Sequence, residues 1–140
     1  ELLRQLRPGE MATAIKADFN LVSGRVRFAV AGHPPPIHIS DGRAVLVPVR
    51  PGPPLGTLRQ PPHVAEIVLN PGDRLLLCTD GVFERRNEPI TAGLARLLST
   101  VERHAMTPDI ELAVRAVLDD MVEDLHDDAC LLLIERPHRQ

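Results

Sequence analysis

At 140 residues the chain is long enough to bury a core without disulfide or metal staples, and its 44% apolar content is that of a globular protein. A formal net charge of -3, with no Tyr or Trp and only 3 Phe, argues against nucleic-acid binding, which calls for a basic surface and aromatic stacking platforms. No apolar run approaches the roughly 20 residues that cross a bilayer and no signal-peptide pattern opens the chain, so the expected setting is cytoplasmic, with no membrane partner.

The first elements read as hairpins. Thr13, Ile15, Ala17 and Phe19 alternate with Ala14, Lys16 and Asp18, and after Ser23-Gly24 the alternation resumes as Val26, Phe28 and Val30. Ile37–Ile39 and Ala44–Val49 flank Asp41-Gly42, a dipeptide whose residues both tolerate positive φ, which predicts a second hairpin. Arg50-Pro51-Gly52-Pro53-Pro54-Leu55-Gly56 must be a loop, because proline lacks the amide donor a sheet needs.

Val64–Leu69 and Arg74–Thr79 then read as two strands joined through Asn70-Pro71-Gly72-Asp73, the second apolar enough for a central position. The helical signal lies in the last third. Ile90–Val101 predicts a short helix. Thr107-Pro108-Asp109 supplies an N-cap, a proline for the first turn and an early acid, followed by Ile110, Val114, Val117, Met121 and Leu125 at helical spacing. Cys130–Ile134 closes the chain as a buried strand. Strands first and helices later, without regular alternation, predict an α+β arrangement with helices on one face of an antiparallel sheet.

Chemistry concentrates at two places. Thr79-Asp80-Gly81 follows the apolar run Leu75–Cys78, setting a carboxylate at the end of a buried strand, and His126-Asp127-Asp128 directly precedes the last strand. Two acidic sites at the mouths of two core strands can meet at one sheet edge, where their oxygens suit a hard divalent cation. Each also has an ordinary reading, a turn after a strand for Asp80-Gly81 and a solvated loop for the paired aspartates, and spacing alone leaves both open. Cys78 and Cys130, each in an apolar run, read as buried free thiols that act as small hydrophobes, without the cationic neighbours that activate a nucleophile.

The ordered set goes further. Ala31-Gly32-His33-Pro34-Pro35-Pro36, Gly52-Pro53-Pro54-Leu55-Gly56, Leu69 through Glu84 with its Thr79-Asp80-Gly81 core, and Asp127-Asp128-Ala129-Cys130 together resemble the bacterial PPM (PP2C-like) serine/threonine phosphatases of the SpoIIE type. The resemblance covers about Met11 to Arg136. It implies an antiparallel β-sandwich flanked by helices, the α-β-β-α fold of PPM phosphatases, with Mn2+ or Mg2+ at one edge. It implies that Asp80 and Asp127 are metal ligands and so catalytic, that Glu84 helps hold a further, weaker metal, and that Gly81, Asp128 and His33 support the site. His33 could orient a phosphate or a water, but a hydrogen-bonded role shaping its turn is the preferred reading. Arg85 and Arg86 read as a solvated basic pair.

The implied reaction is hydrolysis of phosphoserine or phosphothreonine by attack of a metal-activated water, on a phosphorylated protein of the anti-anti-sigma type in a sigma-factor signalling pathway. One block departs from the pattern. The resemblance implies an upstream aspartate bridging the metals, followed by a Gly-His-Gly-like turn, and neither Asp18 nor Asp41 can stand in for it. Residues 1–140 are therefore expected to be the C-terminal portion of one phosphatase domain whose N-terminal part is missing, with weak activity alone and a tendency to self-association through uncovered strand edges. Two alternatives stay open: a non-catalytic interaction module with an incomplete metal site, and a haloacid-dehalogenase-type phosphatase, against which Val82 stands where a second aspartate is required.

Overall fold

The computed structural model describes residues 10–57, 63–121 and 128–138. In chain order its elements are β1 (Ala14–Phe19), β2 (Arg25–Ala31), β3 (Ile37–Ser40), β4 (Arg43–Leu46), β5 (Val64–Val68), β6 (Arg74–Cys78), a 3-10 turn (Asp80–Val82), α1 (Ile90–His104), α2 (Ile110–Met121) and β7 (Leu131–Glu135). The chain is α+β, with antiparallel sheets and, among the described residues, two α-helices. It divides into two compact units, one of Glu1–Pro35 with Pro48–Val68 and one of Pro36–Val47 with Leu69–Gln140.

The first unit holds a three-stranded antiparallel sheet in the order β1-β2-β5. The β1–β2 hairpin forms as the alternation predicts, with Phe19 opposite Val26 and Ile15 opposite Val30. Val26, Phe28 and Val30 are buried while Arg25 and Arg27 are exposed, so the period of two separates an apolar face from a solvated one. The proline-rich segment is irregular but not loose. Two of its residues are tied to neighbouring backbone: Gly52 N donates to the Val30 carbonyl (2.9 Å), Gly32 N donates to the Gly52 carbonyl (2.8 Å), and Leu55 exchanges two hydrogen bonds with Ala12.

The second unit holds a four-stranded sheet in the order β4-β3-β6-β7, with β6 central and β7 at an edge. Asp41 and Gly42 form the β3–β4 turn with φ of 50° and 77°, the positive values expected of this dipeptide. Although β5 and β6 are neighbours in sequence, the Asn70–Asp73 turn carries the chain from one sheet to the other rather than closing a hairpin. Leu76 and Cys78 of β6 pack with Ile37 and Ile39 of β3, with Leu97 and Val101 of α1, and with Val117 and Met121 of α2 in one apolar cluster.

Both helices are legible in sequence, with three corrections. First, α1 runs three residues past Val101 to His104, and its buried positions Gly93, Leu97, Thr100 and Val101 follow the helical period. Second, the start of α2 is capped not by Thr107 but by Asp109, whose Oδ1 accepts from the amides of Glu111 (2.8 Å) and Leu112 (3.0 Å), because the helix begins after the proline rather than at it. Third, the buried α2 positions are Ala113, Val117 and Met121, while Ile110 stays exposed and Leu125 lies outside the described residues. Among the described residues no helix is long and apolar enough to cross a membrane.

The lower end of β6 is fixed by polar groups that no local pattern announces. Asp73 is buried, and its Oδ2 accepts from the amide of Asn70 (2.8 Å) and lies 2.9 Å from Nε2 of His38. Arg74, also buried, donates from Nε to Glu135 (2.6 Å) and from Nη1 to the Ala105 carbonyl (3.1 Å), joining β6 to β7 and to the end of α1. Burial opposes ionisation of Asp73, but the Asn70 amide, Ser40 and His38 outweigh it and hold the carboxyl below its ordinary value of 3.8.

A carboxylate with a depressed folded pKa contributes stability that is present above its unfolded pKa and lost as pH falls through the folded one. Asp73→Asn is therefore expected to lower stability by about 2 kcal/mol near neutral pH and to flatten the loss of stability below pH ~4, measured by urea unfolding across pH. An unchanged pH profile would assign that loss to other carboxylates.

Candidate active site

The upper end of β6 presents the acidic chemistry. Past Cys78 the chain turns at once, because the amides of Phe83 (2.9 Å) and Glu84 (2.8 Å) both donate to the Asp80 carbonyl and that of Val82 donates to the Thr79 carbonyl (3.1 Å). This closes the 3-10 turn with Val82 and Phe83 buried in the core and Asp80 and Glu84 exposed. One oxygen of Asp80, Oδ1, accepts from the Gly81 amide (3.0 Å).

The second acidic block arrives beside the first through strand pairing. β6 and β7 are antiparallel, with Arg74 opposite Glu135 and Cys78 opposite Leu131. One step beyond that ladder, the Thr79 amide donates to the Cys130 carbonyl (3.0 Å) and the Cys130 amide donates back to the Thr79 hydroxyl oxygen (2.9 Å). Asp128 follows the same path. A Cβ placed on Gly81 would stand 2.5 Å from the Asp128 carbonyl oxygen, closer than real Cβ atoms come. Gly81 is thus required by the approach of the Asp128 segment rather than by the turn, since its φ lies outside the left-handed region.

Among the expected site residues, Asp80, Gly81, Glu84 and Asp128 lie in these two adjoining segments, with Asp128 exposed. Asp127 lies outside the described residues. His33 belongs to the first unit, where its Nδ1 is 2.9 Å from the Pro34 carbonyl oxygen; a carbonyl can only accept, so Nδ1 carries the proton and the ring shapes its own turn. Exposed carboxylate oxygens are the donors a hard divalent cation takes, so Asp80 and Glu84 fit such an ion in kind. Among the described residues no group of three or more His, Cys, Asp and Glu side chains converges to hold one.

Both cysteines are free, but they differ. Cys78 is buried, and burial first, then the charges of Asp80 and Cys130, push its thiol up to about 12. Cys130 is exposed rather than buried in a strand, because β7 begins at Leu131 and places Cys130 beyond the ladder. Sequence reasoning also missed the side chain that grips the far end of the acidic turn. Arg96 of α1 donates from Nη2 to the Phe83 carbonyl (2.9 Å) and from Nη1 to both oxygens of Glu88 (2.5 and 2.7 Å). The spacing from Glu88 to Arg96 crosses a loop and a helix start, so no periodicity signals it.

The model of stage II sporulation protein E (SpoIIE) matches residues 1–137. This chain belongs to the SpoIIE family. Solved structures similar to it are PP2C-type phosphatase domains. The RsbU and RsbW domains of a Mycobacterium tuberculosis protein match at 29% identity and a TM-score of 0.81, covering 91% of this chain and 38% of that one. The phosphatase domain of the cell fate determinant SpoIIE from Bacillus subtilis matches at 16% identity and a TM-score of 0.63, covering 99% and 64%. The catalytic domain of the serine/threonine phosphatase PstP, solved in complex with 2 manganese ions, matches at 14% identity and a TM-score of 0.57, covering 90% and 58%. This SpoIIE-family chain thus spans less than two thirds of each, and the two likenesses below 25% identity show the fold.

Two outcomes test the local geometry. Gly81→Ala should cost about 1–3 kcal/mol, since a backbone oxygen must shift to admit the methyl group, and Thr79→Val should cost about 1 kcal/mol where Thr79→Ser costs less; urea midpoints read both. In native protein, iodoacetamide should label Cys130 and spare Cys78 until the chain is unfolded, as read by peptide mass spectrometry. Native labelling of Cys78 would contradict its burial.

Proposed function

We propose that this chain supplies part of a metal-dependent protein serine/threonine phosphatase, acting in the cytoplasm on a phosphorylated regulator of the anti-anti-sigma type. The observation that carries the reading is the lacing of Thr79 to Cys130, which sets the Asp80 turn against the Asp128 segment at one end of β6 and β7. Membership of a family with the PP2C fold supports it.

In this reading Asp80 and Asp127 hold Mn2+ or Mg2+, and Glu84 contributes to a weaker site. The bound cation supplies acidity to its water and offsets charge on the phosphoryl oxygens. The chain's own part is to present carboxylate oxygens from a turn that strand pairing and α1 keep in place. No thiol is needed: Cys78, buried and with its pKa raised to about 12, stays protonated at neutral pH and is no nucleophile. The haloacid-dehalogenase alternative fares worse, since Val82 at its second acidic position is buried in the core. Leu132, on the edge strand β7 and 54% exposed, supports the expectation of association with another segment or copy.

In the full-length protein, Asp80→Asn should abolish manganese-dependent hydrolysis of a phosphoserine peptide while leaving the thermal transition in place, and Cys78→Ala should leave turnover intact at some cost in stability. Undiminished turnover in folded Asp80→Asn would sink the assignment.

A further inference from the structure

The turn that presents Asp80 and Glu84 is held at both ends. At its start the hydrogen bonds to the Asp80 carbonyl close it, and at its end it is drawn onto α1. A Cβ on Gly93 would stand 2.3 Å from the Phe83 carbonyl oxygen, so the helix and the turn meet at a distance only glycine allows. Across that contact Arg96 takes the Phe83 carbonyl with one terminal nitrogen and both Glu88 oxygens with the other. Among the described residues its Nε is buried without a hydrogen-bond partner, and the hydrogen bonds of its terminal nitrogens go to this segment.

Stability alone does not explain such a group. A partly buried ion pair is offset by desolvation, and an apolar side chain of similar volume often serves a fold as well. What a planar guanidinium adds is geometry, because its fork fixes a carbonyl and a carboxylate together. Glu84 lies between those two anchors, and Asp80 stands three residues before the first of them.

We infer that Arg96, with Glu88 as its counterpart, is a positioning residue for the carboxylates of Asp80 and Glu84, raising the affinity of the site for a divalent cation without touching cation or substrate. The inference rests on the phosphatase reading above. Oxygen ligands on a turn already held in place lose less conformational freedom when a cation binds, and removing such outer supports commonly weakens metal affinity by about 10–100-fold.

The test uses the full-length protein, with Mn2+ binding read directly by electron paramagnetic resonance of the free ion and phosphoserine-peptide hydrolysis followed against manganese concentration. Arg96→Met and Glu88→Ala should weaken Mn2+ binding about tenfold or more, with turnover recovered when manganese is raised, and Arg96→Lys, which keeps the charge and one donor, should fall between them and the parent. Circular dichroism and thermal melting report folding. If the Arg96 variants do not fold, Glu88→Ala decides the matter, since it leaves the core side chains untouched. Unchanged Mn2+ affinity in folded Glu88→Ala, or a loss of turnover that manganese does not recover, overturns the positioning role while an inactive Asp80→Asn leaves the phosphatase reading standing. Full Mn2+ binding and turnover in Asp80→Asn overturn both.

Discussion

The antiparallel register of β6 against β7 is the constraint on which the acidic site depends. Because side chains alternate across a strand, a slip of one residue would turn Leu76 and Cys78 away from the helices and carry Asp128 away from Gly81. The register is fixed at both ends. Below, Arg74 meets Glu135, and the amide of Arg136 donates to the Asp73 carbonyl (2.9 Å). Above, the Thr79–Cys130 exchange extends the pairing past the last ladder residue, so the segment carrying Asp128 arrives beside the segment carrying Asp80.

Two aspartates bracket the same strand and have opposite fates. Asp73 is buried and surrounded by donors, and its charge is consumed in holding β3, β6 and the preceding turn together. Asp80 is exposed, and one of its oxygens takes the adjacent Gly81 amide. Chemically identical groups thus become a structural anchor and a candidate ligand through their surroundings alone. A carboxylate already enclosed by hydrogen bonds would have to give them up to bind a cation, whereas an exposed one gives up mainly water.

Helix α1 serves the fold and the site through different residues. Leu97 and Val101 face the apolar cluster, whereas Gly93 and Arg96 meet the loop that follows Asp80. The helical period places these two sets on adjoining stripes, so the packing that buries α1 also presents Arg96 to the turn.

The sequence by itself determined the elements whose cause is local. Alternation produced the β1–β2 hairpin, Asp41-Gly42 the second turn, the apolar run of Leu75–Leu77 the central strand, and helical spacing the two helices, because backbone preference and amphipathic period act over a few residues. The ordered blocks from Gly32 to Asp128 also marked the family. Only the tertiary structure decided that β5 and β6 enter different sheets, that Cys130 falls outside β7 and is exposed, and that Asp109 caps α2. It alone brought His38 to Asp73, Gly81 beneath Asp128, and Arg96 onto Phe83 and Glu88. These contacts join residues whose proximity follows from strand register and helix packing, and no single stretch of chain carries the information that fixes either.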